Sequence, residues 1–240
     1  MGFGSELIFA AIIVFVAYLV RGIAGFGSAL ISIPLLTLHF PLVVVVPLVV
    51  LLDYVGSLGQ GFHSREAIAW RDLLPLLPFT FIGAAAALWL FDTLDPITLS
   101  RLLGVFVILF SIYQLLPTPQ IHASRTSAIP YGFLGGLMGT LFGTGGPFYV
   151  IYLTVRGLEK TVFRASFATY FAIDGTARII GYGLLGFLSA QMWELFALAL
   201  PVALVGLLVG GRMHVSISQV SFKRLISALL LASGTALLLK

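Results

Sequence analysis

The chain contains no cysteine and very little charge. Without cysteine it can form no disulfide, no thiolate metal site and no cysteine nucleophile. Only 9% of its residues are charged, whereas soluble domains have about 25%. The sequence also lacks a phosphate-binding P-loop and the His–Glu cluster of a metal site. The scarcity of charge excludes a water-soluble protein. Because the motifs are missing as well, we expect no metal, no cofactor, no catalytic residue and no ATP-driven step.

Long apolar runs occupy most of the sequence. Hydrophobic residues make up 60% of its 240 residues. A helix needs about 20 apolar residues to cross a hydrocarbon core of ~30 Å. Six runs meet this requirement: 42–62, 73–91, 98–116, 162–187, 193–211 and 219–239. Because the runs are continuously apolar and do not alternate, they indicate helices and not barrel strands. We therefore predict an all-α, multi-pass integral membrane protein.

A two-fold repeat relates residues 1–120 to residues 121–240. Five residues recur 123 positions later: Trp70, Pro78, Gly83, Arg101 and Leu102 match Trp193, Pro201, Gly206, Arg224 and Leu225. Nearer the start of each half the separation is smaller, with 118 positions between Gly25 and Gly143 and 121 between Asp53 and Asp174. Chance similarity between apolar helices is the alternative, but collinear Trp, Pro and Arg matches favour a duplication.

The charges of the short loops predict the orientation of the chain. Lys and Arg in short loops are retained on the cytoplasmic side. Nine of the 13 basic residues fall in four loops, which contain Arg65 and Arg71; Arg125; Arg156, Lys160 and Arg164; and Arg212, Lys223 and Arg224. The loops at 38–41, 92–96 and 186–194 have no Lys or Arg. Corresponding loops of the two halves then lie on opposite sides of the inner cell membrane. This predicts an inverted repeat with both termini outside.

An inverted repeat requires residues 129–155 to enter and leave the membrane on the same side. This segment joins two basic loops, so it predicts a helical hairpin with arms of about 14 and 10 residues, or ~21 and ~15 Å. By symmetry, residues 6–40 form the same hairpin from the outside. Each repeat is expected to consist of one glycine-broken hairpin followed by three transmembrane helices.

Each hairpin turns at a glycine-rich break, at residues 21–28 and 139–147. Non-helical backbone is tolerated in a membrane only around a cavity, and helix N-termini at such breaks attract anions. Ser28 is a suitable N-cap and Pro147 a suitable helix start. We predict that the breaks converge at mid-depth and bind an anion through Gly25, Phe26, Gly27, Ser28, Gly143, Thr144, Gly145 and Gly146. The alternative is that these glycines only permit close packing, as Gly132 and Gly136 would.

Four ionisable residues lie inside apolar segments: Arg21, Asp53, Asp174 and Arg178. Such residues are expensive to bury and are therefore candidates for function. Asp174 and Arg178 share a helical face, so they either pair or leave the planar fork of Arg178 to bind an oxyanion. Arg21 lies beside the first break and is a second candidate for substrate binding. Desolvation favours a protonated carboxylate, which makes Asp53 and Asp174 candidates for proton coupling. The alternative for Asp53 is a structural role, capping an unwound turn.

At these breaks the sequence resembles the TauE/SafE family of sulfite and organosulfonate exporters. The resemblance rests on Gly22-Ile23-Ala24-Gly25-Phe26-Gly27-Ser28 with Pro34 after it, and on Gly135-Gly136-Leu137-Met138-Gly139-Thr140-Leu141-Phe142-Gly143-Thr144-Gly145-Gly146-Pro147. It covers nearly the whole chain and implies export of a sulfur-containing anion, with related members handling other small organic acids. Members often have a long cytoplasmic loop between the halves, whereas residues 117–129 are a short connector here.

Secondary transport of a small anion across the lipid bilayer is the predicted function. A passive anion channel is an alternative that differs only in mechanism. An intramembrane enzyme would need a nucleophile and a base inside the bilayer. The four histidines lie at span ends or in loops, at His39, His63, His122 and His214, which argues against an enzyme. Nucleic-acid binding is not expected, because the topology accounts for the basic residues. The sequence leaves the oligomeric state open.

Overall fold

The computed structural model describes residues 3–25, 27–58, 68–116, 124–213 and 219–239, and these residues form helices and no strand. The helices are α1 (Phe3–Ala24), α2 (Ser28–Leu36), α3 (Leu42–Leu58), α4 (Trp70–Leu73), α5 (Leu76–Thr93), α6 (Pro96–Leu115), α7 (Ala128–Phe142), α8 (Gly146–Val155), α9 (Lys160–Leu184), α10 (Ala190–Arg212) and α11 (Gln219–Leu239). Within the described ranges, α1, α5, α6 and α10 are long and apolar enough to cross a membrane. The prediction of an all-helical membrane protein is confirmed.

The helices follow the predicted apolar runs and differ from them at their ends. α11 has the predicted bounds, and α6 and α10 begin two and three residues earlier than predicted. The run 73–91 is divided between α4 and α5. Proline has no N–H to continue the hydrogen-bond ladder, so Pro75 accounts for this interruption. Parts of the predicted loops, with Arg65, His63, His122 and His214, lie outside the described residues.

The two hairpins have different arm lengths. α7 has 15 residues and α8 has 10, close to the predicted 14 and 10. In the first hairpin, α2 has 9 residues but α1 has 22, which corresponds to ~33 Å of helix. α1 is therefore longer than the symmetric arm that the sequence predicted, and it is long enough to cross the hydrocarbon core by itself.

The helices form two compact units, and each unit takes helices from both halves of the chain. The first unit contains Met1–Leu52, Leu94–Thr118 and Leu188–Lys240. Within it α1 packs against α10, and α6 packs against α11. The second unit contains Asp53–Thr93 and Pro119–Phe187. Within it α5 packs against α7, and α8 packs against α9.

Glycines allow the paired helices to approach closely. A Cβ atom added at Gly83 of α5 would lie 2.2 Å from the backbone oxygen of Phe133 in α7. A Cβ atom added at Gly206 of α10 would lie 2.7 Å from the backbone oxygen of Phe15 in α1. Backbone atoms cannot move aside as a side chain can, so a side chain at either glycine would push the helices apart.

These glycine contacts follow the spacing of the predicted repeat. Gly206 lies 123 positions after Gly83, and Phe133 lies 118 positions after Phe15. In the predicted repeat, α5 thus corresponds to α10, and α7, which Gly83 touches, corresponds to α1, which Gly206 touches. The same type of contact therefore closes both units.

Candidate functional site

The first break separates α1 from α2 and is shorter than predicted. α1 continues through Arg21 to Ala24, so the break consists of Gly25 to Gly27, and Phe26 lies outside the described residues. Gly25 and Gly27 have φ angles of 83° and 102°, a region that favours glycine. The N-cap of α2 is Gly27 and its first helical residue is Ser28. The prediction that Ser28 is the N-cap was therefore wrong, because the left-handed Gly27 already makes the turn into the helix.

Arg21 lies at this break, as predicted, and is buried with 6% of its surface exposed. Its Nη1 atom donates a hydrogen bond to Oγ of Ser28 at 3.5 Å, which connects the end of α1 to the start of α2. Its guanidinium carbon lies 5.9 Å from the centre of the Tyr18 ring. Asp53, also buried, lies inside α3, so it does not cap an unwound turn.

The second break separates α7 from α8 and is also short. Residues 139–142, which were predicted as part of the break, remain in α7. Gly143 ends the helix with a φ angle of 63°. The backbone N–H and the hydroxyl of Thr144 both donate to the backbone oxygen of Met138, at 3.2 and 3.3 Å. Pro147 lies in the first turn of α8, as predicted. The turn is therefore closed by one backbone oxygen of α7, that of Met138.

Arg178 of α9 reaches the second break. It pairs with Asp174 one turn earlier, and Nη1 donates to the backbone oxygen of Gly139 at 3.1 Å. Of the two alternatives left open by the sequence, the pairing of Arg178 with Asp174 is observed, and the binding of an oxyanion by Arg178 stays a prediction. Arg178 and Asp174 are only 2% and 1% exposed. The Nε atom of Arg178 is buried and has no hydrogen-bond partner among the described residues.

Two glycines provide the space for this guanidinium group. A Cβ atom at Gly139 would lie 2.6 Å from Nη2 of Arg178, and one at Gly145 would lie 3.0 Å from the same atom. Both distances are shorter than ordinary van der Waals contact. These positions therefore have to be glycine if Arg178 is to keep its place, which is a packing requirement that the sequence did not reveal.

Arg178 belongs to a polar stripe along α9. We use this name for Ser166, Tyr170, Asp174, Arg178 and Tyr182, which follow one another at intervals of four residues. None is more than 2% exposed. Successive members lie one helical turn apart, and each of the five side chains contacts a residue of the second unit. Sequence reasoning found only the two charged members, although the repeated spacing was a signal for the other three.

The uncharged members of the stripe hold neighbouring segments in place. The backbone N–H of Ala69 donates to Oγ of Ser166 at 2.9 Å. The hydroxyl groups of Tyr170 and Thr80 are hydrogen-bonded to each other, and the hydroxyl of Tyr182 donates to the backbone oxygen of Thr140. The stripe thus contacts both α5 and α7. The charged pair lies between Tyr170 and Tyr182, whose hydroxyl groups are both hydrogen-bonded.

A second polar cluster lies near the loops that were predicted to be cytoplasmic. Asp72 of α4 accepts hydrogen bonds from Nε of Arg156 at 2.8 Å and from Nε of Arg125 at 3.4 Å. The hydroxyl of Tyr152 donates to the backbone oxygen of Asp72 at 2.9 Å. The sequence analysis used both arginines only as topology signals. In the structure they also hold α4 to the ends of the second hairpin.

Comparison with known proteins identifies the family. A family model described as sulfite exporter TauE/SafE matches residues 10–237. The chain belongs to the TauE/SafE family. Both glycine breaks, Arg21 and the polar stripe lie within the matched range. TauE/SafE proteins are membrane transporters and not enzymes, so the resemblance carried by the glycine-rich stretches is confirmed.

Two relatives are similar over most of their length. The probable inner membrane transporter TsaS of Comamonas testosteroni is 29% identical over 79% of this chain and 81% of its own length. The probable sulfite/organosulfonate exporter TauE of Cupriavidus necator is 24% identical over 83% of this chain and 80% of its own. No solved structure matches this TauE/SafE protein significantly. The prediction that both breaks form a single anion site stays a prediction.

Proposed function

We propose that this protein is a secondary transporter that exports a small sulfur-containing anion, either sulfite or an organosulfonate, across the inner membrane. The observation that carries the proposal is the buried guanidinium group of Arg178 at the second glycine break. Its Nε atom lacks a hydrogen-bond partner within the described ranges. A buried donor without a partner costs about 1–3 kcal/mol, so an oxyanion that accepts this hydrogen bond would be stabilised there.

The geometry of Arg178 suits an oxyanion. A guanidinium group offers its N–H donors in a rigid plane that matches the spacing of carboxylate, sulfonate or sulfite oxygens. One side of the group is fixed by the backbone oxygen of Gly139. At positions 139 and 145 the glycines present backbone, and no side chain of their own, to the charge. In the first unit, Arg21 has the corresponding role beside Gly25, Gly27 and Ser28.

Asp174 supplies a route for proton coupling. Its carboxylate is the counter-ion of Arg178, and it competes with a bound anion for the same positive charge. Protonation would neutralise the carboxylate and weaken this competition, so proton binding and anion binding would favour each other. The two tyrosines of the stripe are also titratable: Tyr170 lies one turn before Asp174, and Tyr182 lies one turn after Arg178. Asp53 is the second proposed proton carrier.

We also propose that the two halves are inverted repeats. Three observations support this arrangement. The first is the spacing of the helices: α2 and α8 begin 118 positions apart, as do α3 and α9, while α6 and α11 begin 123 positions apart. The glycine contacts that close the two units follow the same spacing. The basic loops favour opposite orientations of the halves.

The substrate class comes from the relatives and from the chemistry of the site. One relative is described as a sulfite/organosulfonate exporter. Sulfite and sulfonates present several oxygens around one sulfur atom, which a planar guanidinium group can bind with two hydrogen bonds. A driving ion gradient completes the proposal, because the sequence has no P-loop for ATP.

Sulfite flux into proteoliposomes tests this proposal. Arg178→Lys keeps the charge but removes the planar fork, and we expect it to lower the initial rate of sulfite uptake by about tenfold or more, the loss of one charged hydrogen bond. Arg101→Lys is the matched control, because Arg101 is exposed on α6, and it should transport at the wild-type rate. Saturable flux that is the same in Arg178→Lys and the wild type would contradict the proposal.

Proton coupling is tested separately with Asp174→Asn. This variant should still exchange sulfite for sulfite across the membrane, whereas uptake driven by an imposed pH gradient should be lost. Uptake that still follows the pH gradient would remove Asp174 from the mechanism. Voltage-driven currents larger than any carrier turnover would instead favour a passive channel.

A further inference from the structure

Tyr149 is a buried tyrosine whose hydroxyl group has no hydrogen-bond partner among the described residues. It lies in the first turn of α8, and none of its surface is exposed. Buried hydroxyl groups in proteins are nearly always hydrogen-bonded, because leaving one without a partner destabilises the fold. The hydroxyl of Tyr149 is therefore a donor that the fold itself does not use.

Other polar atoms without a partner surround the second glycine break. In the described part of the second unit they are the hydroxyl of Thr140, Oδ1 of Asp174 and Nε of Arg178, all buried. Thr140 lies in the last turn of α7 and Tyr149 in the first turn of α8, on either side of the break. Such atoms are rare in native proteins, so their concentration here indicates a place for a bound polar group.

The Tyr149 ring and the Arg178 guanidinium group occupy neighbouring spaces made by glycines. A Cβ atom at Gly135 would lie 2.2 Å from Cε1 and 2.7 Å from Cζ of Tyr149, so the hydroxyl end of the ring lies against Gly135. A Cβ atom at Gly145 would lie 2.5 Å from the backbone oxygen of Gly135 and 3.0 Å from Nη2 of Arg178. The charge of Arg178 also acts on Tyr149 directly. The tyrosine and the arginine therefore border the same part of the break.

Two other buried tyrosines near the charged pair donate their hydrogens to the protein. Oγ1 of Thr80 donates to the backbone oxygen of Gly132 at 3.2 Å, so the hydrogen bond between Thr80 and Tyr170 is donated by Tyr170. The hydroxyl of Tyr182 donates to a backbone oxygen of α7. The Tyr149 hydroxyl lies near those of Thr80 and Tyr170 but meets hydrogen-bond geometry with neither. Of the three tyrosines, Tyr149 is thus the one with a donor left for a ligand.

We propose that Tyr149 donates a hydrogen bond to the third oxygen of a sulfite or sulfonate that Arg178 holds through the other two. This inference rests on the transport function proposed above. A guanidinium group binds two oxygens of an anion, which engages both oxygens of a carboxylate but leaves one oxygen of a sulfite or sulfonate. A site built to hydrogen-bond that oxygen disfavours an anion without it. Tyr149 is thus the residue that selects sulfur oxyanions over carboxylates of the same charge.

Calorimetric titration of the purified protein in detergent tests this assignment with methanesulfonate and acetate. Both probes carry a methyl group and a single negative charge, but methanesulfonate has one more oxygen. We expect the wild type to bind methanesulfonate more tightly than acetate. Tyr149→Phe should raise the Kd of methanesulfonate by about tenfold or more, the loss of one hydrogen bond to a charged group. It should change the Kd of acetate by less than about twofold, because acetate has no third oxygen.

Tyr131→Phe is the matched control. It removes a hydroxyl from the first turn of α7, at the end of the helix away from the break, where the half-buried Tyr131 ring packs against Tyr152. Both Kd values should equal those of the wild type.

The melting temperature separates a binding role of Tyr149 from a structural one. Removing a hydroxyl that has no partner in the protein does not weaken the fold, so Tyr149→Phe should melt at the wild-type temperature or above it. Tyr182→Phe loses a hydrogen bond to α7 and should melt below the wild type. Reduced stability or loss of folded protein in Tyr149→Phe would overturn the proposal, because the hydroxyl would then be needed for the fold.

Three binding results would also overturn it: a wild type with no preference for methanesulfonate, equal methanesulfonate binding by Tyr149→Phe and the wild type, or an equal loss of affinity for both anions. If sulfite flux into proteoliposomes still depends on Arg178 in any of these cases, the proposed transport function stands and only the role of Tyr149 is rejected. A wild type that moves no sulfite and binds neither anion would reject both.

Discussion

Replacing Gly139 by alanine should displace Arg178 without changing any charged residue. The new Cβ atom would lie 2.6 Å from Nη2 and 2.7 Å from Cζ of Arg178, whereas ordinary van der Waals contact begins at 3.4 Å. The guanidinium group would therefore have to move by about 0.8 Å. Its hydrogen bond to the backbone oxygen of Gly139 is 3.1 Å long, so a shift of this size takes it out of hydrogen-bond range.

The expected effect is on substrate affinity. A hydrogen bond to a charged group is worth about 1.5–3 kcal/mol, which corresponds to a ~10- to ~100-fold higher KM for sulfite. The assay is the initial rate of sulfite uptake into proteoliposomes over a range of sulfite concentrations. Gly211→Ala is the control, because its Cβ atom would meet nothing within 4 Å and Gly211 lies outside the proposed site. It should transport like the wild type.

The reasoning is refuted if Gly139→Ala has the same KM and the same maximal rate as Gly211→Ala and the wild type. The position of Arg178 would then be irrelevant to transport. Loss of folded protein in Gly139→Ala, seen by size-exclusion chromatography, would show that the pair is needed for the fold, and Arg178→Lys would decide its role in transport.

Three further predictions concern stability, each measured by thermal or denaturant unfolding in detergent. Gly206→Ala should cost about 1–3 kcal/mol because its Cβ atom meets a backbone oxygen at 2.7 Å, whereas Gly211→Ala, which meets nothing within 4 Å, should be neutral; equal melting temperatures would contradict the packing argument. Asp72→Asn should lose about 1–3 kcal/mol because two arginines lose a charged acceptor, and an unchanged unfolding curve would refute this. The exposed Asp95 carboxyl accepts hydrogen bonds from the side chain of Thr98 and, with a smaller effect, from its backbone N–H, and these bonds lower the pKa of Asp95 below 3.8. The ionised Asp95 therefore stabilises the folded protein above pH 3.8, and this stabilisation is lost as the pH falls through the lower pKa of the folded state. The melting-temperature difference between the wild type and Asp95→Ala should shrink at acid pH, and a difference that grows there would reverse the sign.

The sequence predicted the helices because membrane spans depend on local composition. The long apolar runs leave little choice of structure in lipid, and the bounds of α11 agree with the prediction. The ends of helices next to the breaks were harder to predict. α1 and α7 continue through Arg21 and Gly139, because the contacts that stabilise these turns come from residues distant in the sequence or across the break.

The candidate site was predicted only in part, for the same reason. The spacing of Asp174 and Arg178 allowed either a pair or an anion-binding group, and only the position of α7 against α9 shows that the arginine pairs with Asp174 and also donates to the backbone of Gly139. The glycines at 139 and 145 look like helix breakers in the sequence, yet their role is to make room for a side chain from another helix. Such a requirement depends on tertiary contacts and has no local sequence signal.

The pairing of α1 with α10 sets the order in which the chain can assemble during synthesis. More than 160 residues separate the end of α1 from the start of α10, whereas α5 and α7 are separated by fewer than 40. Because membrane helices insert first and associate afterwards, the second unit can assemble before α10 and α11 have been made. α1 has to wait in the bilayer until α10 has been made, and a chain truncated before residue 190 would leave α1 without this partner.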